Sequence, residues 1–148
     1  MKIYFAAAVT GGRTFEEYNL EIINILKSQG HRILSEHVAN WKLQLAFRKK
    51  AEASKNSFKY ISVHNKRLME KSEVFVAECS QGSLGTGFEI CYGAYFLKKP
   101  VIALRHEKAE GRASSTIFGD SSKLIKPYFY NDKNLEEVLK RALLKITS

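Results

Sequence analysis

Apolar residues along this chain alternate between short continuous runs and longer stretches with helical spacing. Residues 2–7 form a short apolar run that leads to the Gly11-Gly12 pair, which predicts a buried strand rather than a leader segment. Thr14 opens a predicted helix, with Glu17 three residues on as its capping partner. Phe15, Tyr18, Ile22 and Ile25 recur at helical spacing, and Gly30 supplies the stop. Residues 32–35 read as a second strand. Residues 41–53 read as a basic helix, residues 54–57 as a break, and residues 58–71 as another helix with Tyr60, Ile61, His64 and Leu68 on one face.

The second half continues the alternation. Val74–Glu78 is a third buried strand, followed by a Ser- and Gly-rich loop over 79–86 and a helix over 87–98 that Pro100 ends. Residues 101–104 give a fourth strand, 107–122 a polar loop with room for one helical turn, Ile125–Tyr130 a fifth strand, and 134–146 a closing amphipathic helix. Strands apolar on both faces, alternating with helices, predict an α/β fold. The expected form is one domain over 1–148, a doubly wound five-stranded parallel sheet in the order 2-1-3-4-5, Rossmann- or flavodoxin-like. Ligands of such sheets bind beyond the carboxyl ends of the strands at the switch point, here the loops over 8–13 and 79–86.

The length of 148 residues fits one domain, and 45% hydrophobic with 26% charged residues is ordinary for a folded chain. No apolar run approaches the roughly 20 residues of a membrane helix, so no membrane partner and a cytoplasmic location are expected. Cys79 and Cys91 are too few for a disulfide scaffold or a cysteine zinc site, and their apolar neighbours predict buried free thiols. The formal charge of +9 concentrates in residues 42–71, where nine Lys/Arg face only Glu52 and Glu70. That segment reads as a solvated helical face or an anion-steering field. Aromatics do not interleave with it as a stacking platform for nucleic acid requires, so nucleic acid is not the expected partner.

Two glycine-bearing loops precede helices on the same sheet edge. One contains Gly11, Gly12 and Arg13, the other Ser83, Gly85 and Gly87, and both can present backbone N–H groups to a phosphate or sugar. Neither is a Walker A or dinucleotide loop. Glu89, between Phe88 and Ile90, reads as a carboxylate in the first turn of an apolar helix, favourable to the helix dipole and suited to a nucleophile or base. Glu78 is a second carboxylate nearby, with loop amides as its simplest partners. His31 and His106 are expected to be exposed. His37 lies at the functional edge, and His64 neighbours Asn65 on a helix. No metal-ligand spacing and no G-x-S-x-G elbow is present, so neither a metal, a cofactor nor a serine triad is expected.

Taken in order, Lys2-Ile3-Tyr4-Phe5, Gly11-Gly12-Arg13, Leu34 to Val38, Val76 to Ile90 and Lys99-Pro100-Val101 resemble the nucleoside 2-deoxyribosyltransferase superfamily. The similarity is to its branch of 2′-deoxynucleoside 5′-phosphate N-hydrolases and nucleoside monophosphate glycosidases. It implies cleavage of an N-glycosidic bond through an oxocarbenium-like transition state, with Glu89 attacking the anomeric carbon and Tyr4 orienting it. It further implies that Ser83 and the backbone of Gly11 and Gly12 bind phosphate. Ser115 would complete that site from a second subunit of a homodimer. His37, by its place at the functional edge, and His64, beside Asn65, are the candidates for the base pocket.

Three positions depart from the pattern. Asn65 stands where the branch has an aspartate that assists the leaving base, Ala8 where it has a phosphate-binding serine, and Thr10 where it often has an arginine. An amide cannot act as a general acid, which typically costs about 10²–10⁴-fold. Base exchange on nucleosides and a nucleotide-binding homologue without turnover therefore stay open beside hydrolysis.

Overall fold

The computed structural model describes residues 1–9 and 15–147. Five strands, β1 (Lys2–Ala6), β2 (Arg32–Ile33), β3 (Val74–Glu78), β4 (Val101–His106) and β5 (Ile125–Tyr130), form one sheet in the order β2-β1-β3-β4-β5. Every pairing is parallel, with Tyr4 opposite Phe75 and Ala77 opposite Ala103. Among the described residues six α-helices accompany it: α1 (Glu16–Ser28), α2 (Trp41–Glu52), α3 (Ser57–Lys71), α4 (Leu84–Cys91), the single turn α5 (Ser115–Phe118), and α6 (Leu135–Thr147). The order, the parallel sense and the doubly wound α/β class are those expected from the alternation of patterns.

Strand side chains alternate between two cores. Ile3, Phe5, Val74, Val76, Ile102 and Leu104 pack with Ile22 and Leu26 of α1 and Val138 and Leu139 of α6. Tyr4, Ala6, Phe75, Ala77, Val101 and Ala103 pack with Met69 of α3 and Ile90 of α4. Tyr4 is thereby committed by strand parity to the face that carries α3 and α4.

Several boundaries move for physical reasons. β2 ends at Ile33, not at Ser35, because the Ser35 hydroxyl takes over the pairing. It accepts from Phe5 N at 2.7 Å and donates to Phe5 O at 2.8 Å. The chain then turns through a short 3₁₀ segment, Glu36–Val38. α3 begins at Ser57, where the Asn56 side chain accepts from Lys59 N. α4 begins at Leu84, three residues before expectation, because Ser83 caps it by accepting from Thr86 N at 3.2 Å. After Cys91 the helix widens over Tyr92–Phe96, and Lys98 reverses it at φ 57°.

His106 is not exposed. As the last residue of β4 it is buried, its ring 4.4 Å from that of Tyr18 and 4.8 Å from Tyr130, with Nε2 2.9 Å from Asp132 Oδ1. His31 is half-buried, its Nδ1 3.2 Å from the amino terminus. Both thiols are free, but neither is fully buried: Cys79 is half-buried after β3, and Cys91 is exposed at the end of α4. Aromatic rings do interleave with the basic helices: Phe47 packs 4.7 Å from His37 and from His64, and Tyr60 lies parallel to His64 at 6.4 Å. These rings contact one another, leaving Trp41 and Phe58 as the exposed aromatics of that region.

Candidate active site

The Tyr4 hydroxyl leaves the middle of β1 and donates to Glu89 Oε1 on α4 at 2.7 Å. Tyr4 itself is fully buried, its ring 5.2 Å from Phe75. Burial, and then the Glu89 charge, hold the Tyr4 phenol far above its ordinary range, so it stays a donor. Burial pushes the Glu89 carboxyl up to about 7, against the lowering effect of the Tyr4 bond. Since α4 starts at Leu84, Glu89 falls in the second turn and not the first. The helix dipole is therefore not what holds this carboxylate, and the tyrosine takes that part.

Glu89 opens onto a cleft of about 230 Å³ lined by Phe58, Ile61, Ser62, Asn65, Lys66, Met69, Gly85 and Phe88. The cleft thus lies between α3 and the first two turns of α4. The Asn65 amide oxygen is buried and has no hydrogen-bond partner of good geometry. The nearest donor is the His37 ring, whose weak hydrogen bond to Asn65 favours the ring's charged form, although burial and then His64 dominate and hold His37 down at about 4. Burial, then Arg67 and Lys50, lower His64 as well. His37 and His64 do not line the Glu89 cleft. They form the aromatic cluster beside Asn65, and His64 faces a separate recess with Lys55, Lys59, Tyr60 and Arg67.

The capped start of α4 divides two cavities. Gly85 faces the Glu89 cleft, whereas Ser83, Thr86 and Gly87 face a groove of about 720 Å³ shared with Arg105, Arg112 and Ser114. Thr86 is buried there with its hydroxyl unpartnered. Arg105 is buried as well, its guanidinium donating to the carbonyls of Cys79, Ser80, Ala109, Glu110 and Gly111. It joins the loop that leads to Ser83 with the turn that leads to Ser115. Among the described residues no carboxylate pairs with it, so this fixed charge adds to the field of the α4 amides.

Glu78 is buried and accepts from Ser80 N at 3.1 Å, from the Ser80 hydroxyl, and from the Tyr130 hydroxyl at 3.1 Å. Burial raises it and these bonds oppose the rise. Its partners are loop and core groups, as the simplest sequence reading had it, and it shapes the loop after β3.

Of the residues singled out in the sequence, Tyr4, Glu89, Asn65 and Gly85 come together and Ser83 lies at the same helix start. Ser115 begins α5 and lines a recess with Arg112, Phe118 and Phe129, outside the cleft of its own chain. Gly11, Gly12 and Arg13, with Thr10, lie outside the described residues. Lys66 and Arg105 carried no motif. Lys66 is one cation among the nine of its segment, and Arg105 sits in an apolar strand run where only its burial distinguishes it. Among the described residues no cluster of three His, Cys, Asp or Glu could hold a metal ion.

No family profile matches the chain. It is 34% identical over 134 residues to a Thermofilum pendens protein carrying the name 2′-deoxynucleoside 5′-phosphate N-hydrolase 1, covering 89% of this chain and 87% of that one. It is 28% identical over 141 residues to the 5-hydroxymethyl-dUMP N-hydrolase of Mus musculus, covering 94% and 78%. A Clostridium botulinum CMP N-glycosidase shares the fold at a TM-score of 0.56 and 16% identity, covering 97% of this chain and 98% of its own. A 2-deoxyribosyltransferase of Bacillus psychrosaccharolyticus does so at a TM-score of 0.61 and 16% identity, covering 90% and 88%. With a third of its residues shared over nearly nine-tenths of its length, the chain belongs to the 2′-deoxynucleoside 5′-phosphate N-hydrolase family.

Proposed function

We propose that this single-domain protein hydrolyses the N-glycosidic bond of (deoxy)nucleoside 5′-monophosphates, releasing the free base and the sugar 5-phosphate. The observation that carries the reading is the 2.7 Å bond from Tyr4 to Glu89 at the edge of a cleft. A carboxylate held by one oxygen keeps the other for the anomeric carbon, where it stabilises positive charge and traps the sugar as an ester. Water then frees the sugar phosphate.

The phosphate binds at the start of α4, at Ser83 and Gly85, together with Gly11, Gly12 and Arg13, and the buried Arg105 adds its positive field. Remote binding of that group orients the sugar over Glu89. The protein acts as a homodimer in the cytoplasm, Ser115 of one protomer reaching the phosphate of the other. The exposed apolar side chains Leu84 and Phe88 of α4 and Phe96 just after it support such a contact.

Incubation with a panel of ribo- and deoxyribonucleotides tests the reading. Free base is expected, and Glu89→Ala should abolish its release. No release from any substrate, or undiminished release by E89A, defeats it. A requirement for an acceptor base, with no need for the 5′-phosphate, identifies base exchange instead.

A further inference from the structure

We propose that Lys66 is a catalytic residue for the departing base: with Asn65 it receives that base as an anion, which directs the site to bases with an acidic ring N–H. The inference rests on the glycosidic reading of the Glu89 cleft. Among the described residues lining that cleft, only Glu89 and Lys66 are ionisable, and Asn65 and Ser62 are the other polar side chains. Glu89 is engaged at the sugar. Asn65 is an amide, and the neighbouring imidazoles lie outside the cleft, their charged forms disfavoured by burial and by nearby positive groups. No described group there protonates a base in step with bond breaking, so the base leaves carrying its electron pair.

Lys66 and Asn65 suit that charge. The Lys66 ammonium lies over the rings of Phe88 and Tyr92, at 5.8 and 5.9 Å from their centroids, which holds it on the α4 side of the cleft. Among the described residues no carboxylate forms an ion pair with it. The buried Asn65 oxygen makes no hydrogen bond of good geometry, the His37 ring being its nearest donor, and a ligand N–H aimed from the cleft would supply one. An imide-type pyrimidine or a 6-oxopurine offers an N–H beside a carbonyl. The N–H satisfies Asn65 Oδ1, and the carbonyl, on which the leaving charge delocalises, faces the Asn65 amide N–H and the Lys66 ammonium.

The step balances without a further reactant. The C1′–N bond breaks with both electrons passing to the base nitrogen, while a Glu89 oxygen bonds C1′. Water then attacks C1′, the carboxylate departs with its electron pair, and the proton lost by the water goes to the base anion.

The test is a leaving-group series: 5′-monophosphates of one sugar bearing 5-fluorouracil, uracil, hypoxanthine and cytosine, with the parent, Lys66→Met, Lys66→Arg and Asn65→Asp. In the parent, kcat should fall as the base N–H becomes less acidic, cytosine being slowest. K66M should slow the uracil nucleotide by about 10- to 100-fold and steepen that dependence, K66R should restore most of the rate, and N65D should flatten it by supplying a proton. A parent rate independent of base acidity overturns the proposal even if no variant folds. So does a K66M that equals the parent or slows every base equally. Base release from no nucleotide is a different outcome: it removes the glycosidic reading and this proposal with it.

Discussion

Tyr4 and Glu89 lie 85 residues apart in sequence, yet the tyrosine hydroxyl meets the carboxylate at 2.7 Å. That bond opposes the burial which lifts Glu89 to about 7. Tyr4→Phe removes the opposition, so the carboxyl should titrate higher still. The nucleophile is the ionised form, hence the rising limb of the pH–rate profile should move to higher pH. A rise of about one unit would cut the ionised fraction at pH 7 from about one half to about one tenth, so activity there should drop by about fivefold or more. A kcat/KM profile of Y4F whose rising limb coincides with that of the parent would contradict this.

The same carboxyl makes stability depend on pH. Its folded value of about 7 exceeds the ordinary 4.5, so between those values the folded chain holds a proton that the unfolded chain has released. Stability from this group is complete below 4.5 and falls as pH rises through about 7. The full loss is on the order of 3 kcal/mol, from 1.36 kcal/mol per unit. Glu89→Gln keeps an acceptor for Tyr4 but removes the titration. E89Q should therefore be more stable than the parent at pH 8 and no more stable at pH 4, read from urea midpoints at both.

Much of this arrangement was legible in the residues. Continuous apolar strands fixed the parallel sheet, and parity along β1 sends Tyr4 toward whichever helices cover that face. What pattern could not reveal was local hydrogen bonding. Ser35 replaces a strand residue by its hydroxyl, and Ser83 starts α4 inside a segment whose composition reads as loop. Composition alone starts the helix at Gly87, which places Glu89 in the first turn and assigns its support to a dipole. His106 looked exposed because a polar residue ends an apolar run, and its ring partners Tyr18 and Tyr130 come from distant segments. Lys66 was hidden for the opposite reason, as one charge in a run of many.

Gly93 and Phe75 connect packing to the site. A Cβ on Gly93 would lie 2.9 Å from two carbons of the Phe75 ring, and that ring is the neighbour of Tyr4. Gly93→Ala should cost about 1–3 kcal/mol by overpacking. It should also slow catalysis by displacing Tyr4. Adding Phe75→Leu frees the space, so the double variant should be more stable than the sum of the singles predicts. Strict additivity in thermal or urea melts would show that the ring is not the obstacle.

Ser83 has a structural part separable from its proposed ligand contact. Its hydroxyl accepts from Thr86 N at 3.2 Å at the start of α4. Ser83→Ala should cost about 1 kcal/mol, and Ser83→Gly only a few tenths. If Ser83 also holds the phosphate, both variants should raise KM for a nucleotide together while differing in stability. Equal KM values for parent and S83G would confine the residue to capping.

Arg105 holds two loops with one side chain. One guanidinium nitrogen donates to the carbonyls of Cys79 and Ser80, the other to those of Ala109, Glu110 and Gly111, the closest at 3.0 Å. Gly111 adopts φ 72°, a conformation that turns its carbonyl into this fork at little steric cost. A methionine of similar length fills the space but supplies no donor, so Arg105→Met should destabilise by about 2–4 kcal/mol. Arg105→Lys keeps the charge yet presents its donors from a single atom, and that atom cannot span both loops. Lysine should therefore recover less than half of the loss. Amide exchange at Glu110, Gly111 and Arg112 should quicken in both variants relative to β4, whose ladder is independent of the side chain. Should R105K match the parent in stability and in exchange at 110–112, charge rather than the planar fork organises these loops.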